Sequence, residues 1–537
     1  MKAFVRSAAT AGILSLAVFI TLEPARGSQA PASAEQNPPA PRQEPGAPGA
    51  LQPGRGGGRG NPAAALYAER CAGCHGLDIA GGRAPSLFDD VWVRVKTDED
   101  MAAIIANGVP LTEMIPFKDM LTEPQIWQLV SYVRTAAGSM KPKPEFVAQP
   151  DGVVIKSEKH TFKMEVVATG LETPWGMAFL PDGRMLVSER PGRLRIIENG
   201  KLLPPVTGTP KVWERQDAGL FDVEVHPDYA NNGWVYLAYS EPQPNYTPPP
   251  PPPEGATPAP APGPGGRGPQ TPGIPSMTVI VLGKINAKNE WVDHQFLYRP
   301  DSPDMYTTNN SHFGSRFTFD KAGHLFYSIG ERGVIELAQD LSHPAGKIHR
   351  VNDDGSVPKD NPFVNRPGVL PTIWSYGHRN PQGFAWDPVS GRLWSSEHGP
   401  QGGDEINIIE PGKNYGWGVI TSGVQAGLTK RAEEGMEQPI VYFTPTIAPS
   451  GMDFYTGPHL TGWKNNLLVG GLAGQQLRRL EISGNTVTHQ EVLFNQFGRV
   501  RDVKVGPDGH LYVALQTPGQ GLAQSTPGIV ARLVPVK

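Results

Sequence analysis

Hydrophobic positions along the 537-residue chain change their rhythm several times. Ala8 to Leu22 is an uncharged, mostly apolar run behind Lys2 and Arg6. Residues 31 to 62 have no apolar rhythm at all; they hold eight Pro and seven Gly, too little apolar surface to order a chain. From 63 to 138 the apolar residues fall at helical spacing, as Ile126, Leu129, Val130 and Val133 do between Glu123 and Ala137. Residues 139 to 159, with Lys141-Pro142-Lys143-Pro144, read as an interdomain linker.

From about residue 160 short runs of Val, Ile, Leu, Phe and Tyr alternate with Gly, Pro, Asp and Asn turns. One unit recurs: a tight turn, then a strand. The turns are 181–183, 226–228, 320–323, 387–391, 462–466 and 507–509, and the strands that follow end near 188, 239, 329, 396, 471 and 515. A β-sandwich has no reason to repeat a turn six times, whereas a β-propeller repeats one sheet per blade. The expected fold is multidomain: a small all-α domain over 63–138, then an all-β six-bladed propeller over 160–537. Residues 242 to 275 hold fifteen Pro, six of them in a row from Pro248, and read as a disordered insertion outside the core.

Charge narrows the options little. A formal net charge of −4 offers no basic face for nucleic acid or an anionic membrane. The N-terminus reads as a secretory signal over 1–30, with Ala25-Arg26-Gly27 and Ser28-Gln29-Ala30 as candidate cleavage sites. Its apolar run is shorter than the ~20 residues of a membrane-spanning helix, so cleavage is favoured over anchoring. No later segment is apolar enough to span a bilayer, and the expected location is the periplasm.

The chain has two cysteines, Cys71 and Cys74, in Cys71-Ala72-Gly73-Cys74-His75. Two thiols three residues apart add across the haem vinyl groups, and the next residue, His75, reaches the iron. A thioredoxin-type C-x-x-C would need a βαβ context that is missing here. The sixth iron ligand is expected from Met114, preferred over Met120; the stretch Gly108 to Phe117 resembles the methionine loop of class I cytochromes c.

Polar residues concentrate in the propeller's turns: Gln216-Asp217-Ala218-Gly219-Leu220; Ser311 to Arg316; Gly377-His378-Arg379-Asn380-Pro381-Gln382-Gly383; Glu397 to Asn407; Asn414 to Trp417; and Gly498 to Asp502. In this order they resemble the soluble quinoprotein glucose dehydrogenase family, in particular its aldose sugar dehydrogenase and sorbosone dehydrogenase-like members, over about 163–537. The resemblance implies a propeller that holds pyrroloquinoline quinone (PQQ) and calcium at one end of its channel. It implies that Arg379, Asn380, His398, Thr446, Arg499 and Arg501 bind PQQ. Arginine suits a tricarboxylate held in fixed geometry. Gly399 and Pro400 would offer carbonyls to the PQQ calcium, and Glu405 with the Tyr415 carbonyl would bind a second calcium; both donor sets are hard oxygen. His312 would be the base, Arg379 would polarise the accepting carbonyl, Asp404 would assist nearby, and Gln216 would contact substrate. Outside that motif, His312 would pass for a packed propeller histidine.

The chain departs from the glucose-oxidising members at several positions. Ala473 stands where they have a PQQ-binding Lys, which should weaken binding by ~1.5–3 kcal/mol if a charge-assisted bond is lost. His398 replaces Gln as in the aldose branch, Ser311 replaces a substrate-side Asp, and Thr444 replaces an aromatic. The expected function is oxidation of an aldose or related alcohol or aldehyde hydrate by hydride transfer to PQQ, with electrons passing to the fused haem and on to a cytochrome or oxidase. The competing readings are a calcium-dependent propeller lactonase and a non-catalytic propeller that docks an electron-transfer cytochrome.

Overall fold

A computed structural model describes residues 61–87, 94–141, 144–248, 273–425, 427–518 and 527–536. The signal, nearly all of the 31–62 leader and most of the Pro-rich insertion lie outside these residues. Among the described residues no helix is long and apolar enough to cross a membrane.

Four helices make the N-terminal domain: α1 (Pro62–Arg70), α2 (Ala72–His75), α3 (Asp98–Asn107) and α4 (Glu123–Met140). Their ends are set by ordinary capping chemistry. Asn61 accepts from the Ala63 amide ahead of α1, and Thr97 with Asp100, then Thr122 with Gln125, form capping boxes on α3 and α4. The helical stripe read from the sequence is the core: Ile126, Leu129, Val130 and Val133 are buried against Tyr67, Met101, Phe117 and Leu121.

The remainder is six antiparallel sheets around a channel. Five have four strands each, beginning at Pro174, Leu220, Phe317, Pro381 and Pro449. The sixth is closed by two parts of the chain: Thr161–Leu171 pairs with Gly528–Pro535 outside Leu511–Gln516 and Arg499–Val505, and Val154–Lys156 adds a short edge. Joining first and last strands removes the open edge that a propeller would otherwise leave. Part of the 139–159 stretch is therefore sheet, and Val147 donates to the Gln496 carbonyl at 2.9 Å. Each of the six recurring turns lies between the first and second strands of a different blade.

The first strands line the channel, and their neighbours touch around the ring. Their polar residues plug it. Arg316 Nη1 lies 3.1 Å from Asp222 and 3.0 Å from Asp502, all three side chains being buried. The carboxylates also accept backbone amides from Phe317 and Met177, so three blades share one ionic knot. Burial raises the Asp222 carboxyl well above the usual carboxylate range. The knot closes the channel on one side of the site described next.

Candidate active site

The site forms at the channel end where second strands finish and the turns after them begin. A short motif recurs there in three blades: Ser188-Glu189-Arg190, Gly330-Glu331-Arg332 and Ser396-Glu397-His398. Each glutamate is buried at 4 % exposure or less. A glutamate at or just past the end of a fully buried strand needs polar partners: Glu331 meets His312 and Glu397 meets His378 and the Arg379 amide, whereas Glu189 pairs with Arg193 and Arg195 of its own blade.

Glu331 orients His312. Its Oε2 lies 2.7 Å and its Oε1 2.8 Å from His312 Nδ1. Burial alone would raise the Glu331 carboxyl, but His312 and Arg379 outweigh it and hold the pKa below the ordinary value. His312 sits on a left-handed loop, with φ of 54° at His312, 64° at Gly314 and 74° at Ser315. Such strain persists only where surroundings over-determine it. Arg332 does this here: it stacks on the Phe313 ring at 3.5 Å and donates to the carbonyls of Ser311 and Ser276 at 3.1 and 2.9 Å.

Cations ring the mouth. Arg379 donates to the His398 carbonyl at 3.1 Å and its own amide donates to Glu397 at 2.8 Å. Arg501 reaches Gln382 Oε1 at 3.2 Å, and Arg190 donates to the Gln216 carbonyl at 2.9 Å. The Nε atoms of Arg190, Arg379, Arg499 and Arg501, and Nε2 of His398, are buried with no hydrogen-bond partner. Burial lowers the pKa of Arg379, Arg499 and Arg501, and neighbouring cations lower Arg501 further. His398 is held neutral by burial and by Arg379 and Arg501. Unpaired buried guanidinium groups are costly unless an anion completes them. The donor set therefore fits a polyanionic ligand such as a tricarboxylate.

Asn380 is a spacer: its Oδ1 accepts from the Gly314 amide at 3.0 Å and its Nδ2 lies 3.3 Å from His398 Nδ1. Asp404, expected to assist near the quinone, is also a structural tie. Its Oδ1 accepts from Gly399, and its Oδ2 from the Thr446 hydroxyl and the Ile447 and Ala448 amides. Asp404 is fully buried and pins two loops together, while its Oδ1, with one donor, keeps a further acceptor site. Thr446 is spent on the same pin. The amide of Ala473 donates to Ile447, within the turn that carries those loops.

Gly399 and Pro400 line one cavity with Arg379, Glu397, Glu405, Tyr415 and Trp417. Gly399 is obligatory, since a Cβ there would stand 2.1 Å from the Gly403 carbonyl oxygen. Glu397 and Glu405 are direct cross-strand partners. Like charges so placed repel. Burial and Glu397 push Glu405 up to about 8, while the Asn407 amide bridges both carboxylates at 3.1 and 3.3 Å. Paired buried carboxylates beside backbone carbonyls fit a hard divalent cation.

Gln216 lies exposed at the rim in a left-handed conformation, its carbonyl held by Arg190. The next residue faces the cations. The Asp217 carboxylate is exposed and within electrostatic reach of Arg332, Arg379, Arg499 and Arg501, while its amide donates to the Asn310 carbonyl at 3.2 Å. Asp217, Glu331 and Arg190 were not singled out from the sequence. The thrice-repeated Glu-cation pair was the available signal for two of them.

In the helical domain, Cys71 joins α1 to α2. Burial, then Cys74, raise the Cys71 thiol to about 11. His75 Nδ1 lies 3.1 Å from the Pro85 carbonyl, which commits that nitrogen and leaves Nε2 for a metal. Met114 packs on the apolar cluster that Cys71 touches, whereas Met120 is 47 % exposed. Gly108, at φ 68°, allows the methionine loop to fold back; a Cβ would stand 2.5 Å from the Met114 carbonyl oxygen.

Fold and site together define a six-bladed propeller with a cationic mouth, preceded by a c-type cytochrome domain. The glucose/sorbosone dehydrogenase family model matches residues 171–524, and the chain belongs to that family. Residues 58–133 match the model of cbb3-type cytochrome c oxidase subunit III. The aldose sugar dehydrogenase YliI of Escherichia coli is 37 % identical over 377 residues, 68 % of this chain and 93 % of that protein. The crystal structure of the soluble aldose sugar dehydrogenase from E. coli aligns at TM-score 0.60 with 35 % identity, over 70 % of this chain and all of that one. A PQQ-bound aldose sugar dehydrogenase from Streptomyces coelicolor aligns at TM-score 0.53 and 27 % identity, over 72 % and 99 % of the two chains.

Proposed function

We propose that this protein is an exported, periplasmic quinohaemoprotein dehydrogenase that oxidises an aldose or a related alcohol or aldehyde hydrate. The reading rests on one arrangement: a histidine locked to a buried glutamate beside a ring of buried, unpaired arginine nitrogens. Arg379, Arg499 and Arg501 would hold the carboxylates of PQQ, with His398 and Asn380 fixing their geometry and Arg190 a further cation at the rim. Gly399 and Pro400 would present carbonyls to its calcium, and Glu397, Glu405 and Tyr415 frame the place for a second. When bound, PQQ supplies an ortho-quinone carbonyl that accepts hydride. Cys71, Cys74, His75 and Met114 would hold the haem.

The chain's own part in the reaction follows from the geometry. With Nδ1 committed to Glu331, His312 has Nε2 left to take the hydroxyl proton of the substrate. Glu331 stabilises the resulting imidazolium without itself taking the proton. Arg379, clamped by Glu397 and the His398 carbonyl, holds a fixed positive charge where negative charge develops. Asp217 is placed to accept hydrogen bonds from sugar hydroxyls at the rim. A lactonase would need neither the unpaired arginines nor a cytochrome domain. The test is PQQ titration in the presence of calcium: saturable binding lost in Arg501→Gln supports the reading, and no binding by the native protein rejects it.

A further inference from the structure

The helical domain touches the propeller through one line of α4 and the start of α3. Trp127, Ser131, Arg134 and Gly138 are spaced four, three and four residues apart, so they form a single stripe beside the one that fills the domain's core. Arg431 lies over the Trp127 ring at 3.8 Å and 5.2 Å from the Tyr442 ring, and donates to the Ser422 carbonyl at 2.8 Å. Ser131 donates to the Gln401 carbonyl at 3.3 Å. Arg134 binds Asp98 at 2.8 Å, and the Tyr442 hydroxyl donates to Asp98 and Glu99 at 3.3 and 3.2 Å. At Gly138 a Cβ would come within 2.8 Å of Pro445 Cγ. Only glycine lets helix and loop approach so closely.

Two propeller residues in this contact adjoin the candidate site's scaffold. Gln401 follows Gly399 and Pro400 in the cavity-lining loop, and Pro445 precedes Thr446, which binds Asp404. Gly399 and Thr446 meet at that one carboxylate. Residues 146 and 147 pack against 496–498, next to Arg499, so a second anchor holds the domain at the same end of the channel.

We infer that α4 is a seat. The Trp127–Ser131–Gly138 stripe, latched by Arg431, fixes the cytochrome domain against the loops that carry the cofactor site, and this contact is the electron junction between the domains. The electron route rests on the proposed function; the seat itself does not. Each aldose oxidised to its lactone yields two electrons and two protons. The protons go to water, and the electrons cross one at a time to the one haem of the chain, which an external one-electron acceptor reoxidises between the two transfers.

The test uses the full chain with two variants, Arg431→Glu and Gly138→Leu. Hydrogen exchange over 123–140 and 427–445 reads the seat without any cofactor, and both variants should speed exchange there by about tenfold or more, as loss of a desolvated cation–π contact implies. In protein loaded with haem, PQQ and calcium, both should slow aldose-driven haem reduction by a similar factor and keep dye-linked sugar oxidation. Unchanged exchange in both variants overturns the seat. Faster exchange with unchanged haem reduction overturns the junction. If the native protein shows no dye-linked oxidation while α4 stays protected, the sugar reading and the electron route fall together and the seat stands.

Discussion

Glu331 Oε2 stands 2.7 Å from Nδ1 of His312; His312 lies in the segment leading into strand Phe317–Phe319 and Glu331 in the turn leaving strand Leu325–Ile329. The pair gives His312 a fixed tautomer and orientation. His312→Ala should lower kcat by about 10²- to 10⁴-fold, the span of general acid–base catalysis, with PQQ binding intact. Glu331→Gln should cost about 10- to 100-fold, as loss of an orienting partner does. Steady-state kinetics on one aldose checks both; equal activity in Glu331→Gln would remove the orienting role.

The same pair sets a pH response. The Glu331 carboxyl is held below its ordinary value in the fold, so the folded protein binds fewer protons there than the unfolded chain. Its contribution is present above the unfolded carboxylate pKa of about 4.3 and is lost as pH falls through the lower folded value. Thermal unfolding between pH 6 and pH 3, as approximate limits, should show a steeper loss of Tm in the native protein than in Glu331→Gln.

Asp217 offers a test of the rim. Its carboxylate faces four arginines and is exposed to an incoming substrate. Asp217→Asn should raise KM for the sugar by about tenfold or more, the effect of losing one charge-assisted hydrogen bond. Gln216→Ala should change KM much less, because Arg190 holds the Gln216 backbone and not its side chain. Kinetics on the two variants separates these neighbours.

Glu397 and Glu405 predict a metal-dependent stability. Calcium between them replaces repulsion with attraction, so a chelator should lower Tm and added calcium restore it. Glu405→Gln removes the repulsion directly. It should weaken the calcium response while raising the Tm of the metal-free protein, which calorimetry with and without chelator would show.

The haem motif and the six blades were legible because each is a local pattern. Cys71 to His75 is a covalent requirement written in five residues, and the turn before each second strand recurs six times. Arg379, Arg499 and Arg501 were legible through family motifs. The tie made by Asp404 was not legible because three of its four hydrogen bonds come from 446–448, more than 40 residues away along the chain. Asp217 was hidden by a neighbour of similar polarity, and the difference between them is a left-handed φ at Gln216. The α4 stripe was hidden because Trp127, Ser131 and Gly138 share no chemistry; only the surface they meet makes them one face.

The central claim is that sugar oxidation in the propeller reduces the haem in the same chain. The direct measurement is stopped-flow absorbance of dilute full-length protein carrying haem, PQQ and calcium, mixed with an aldose. The account predicts ferrous haem forming at a rate independent of protein concentration, abolished without PQQ and in His312→Ala. Haem that stays ferric with every aldose of a broad panel, in protein shown to hold PQQ, would contradict it.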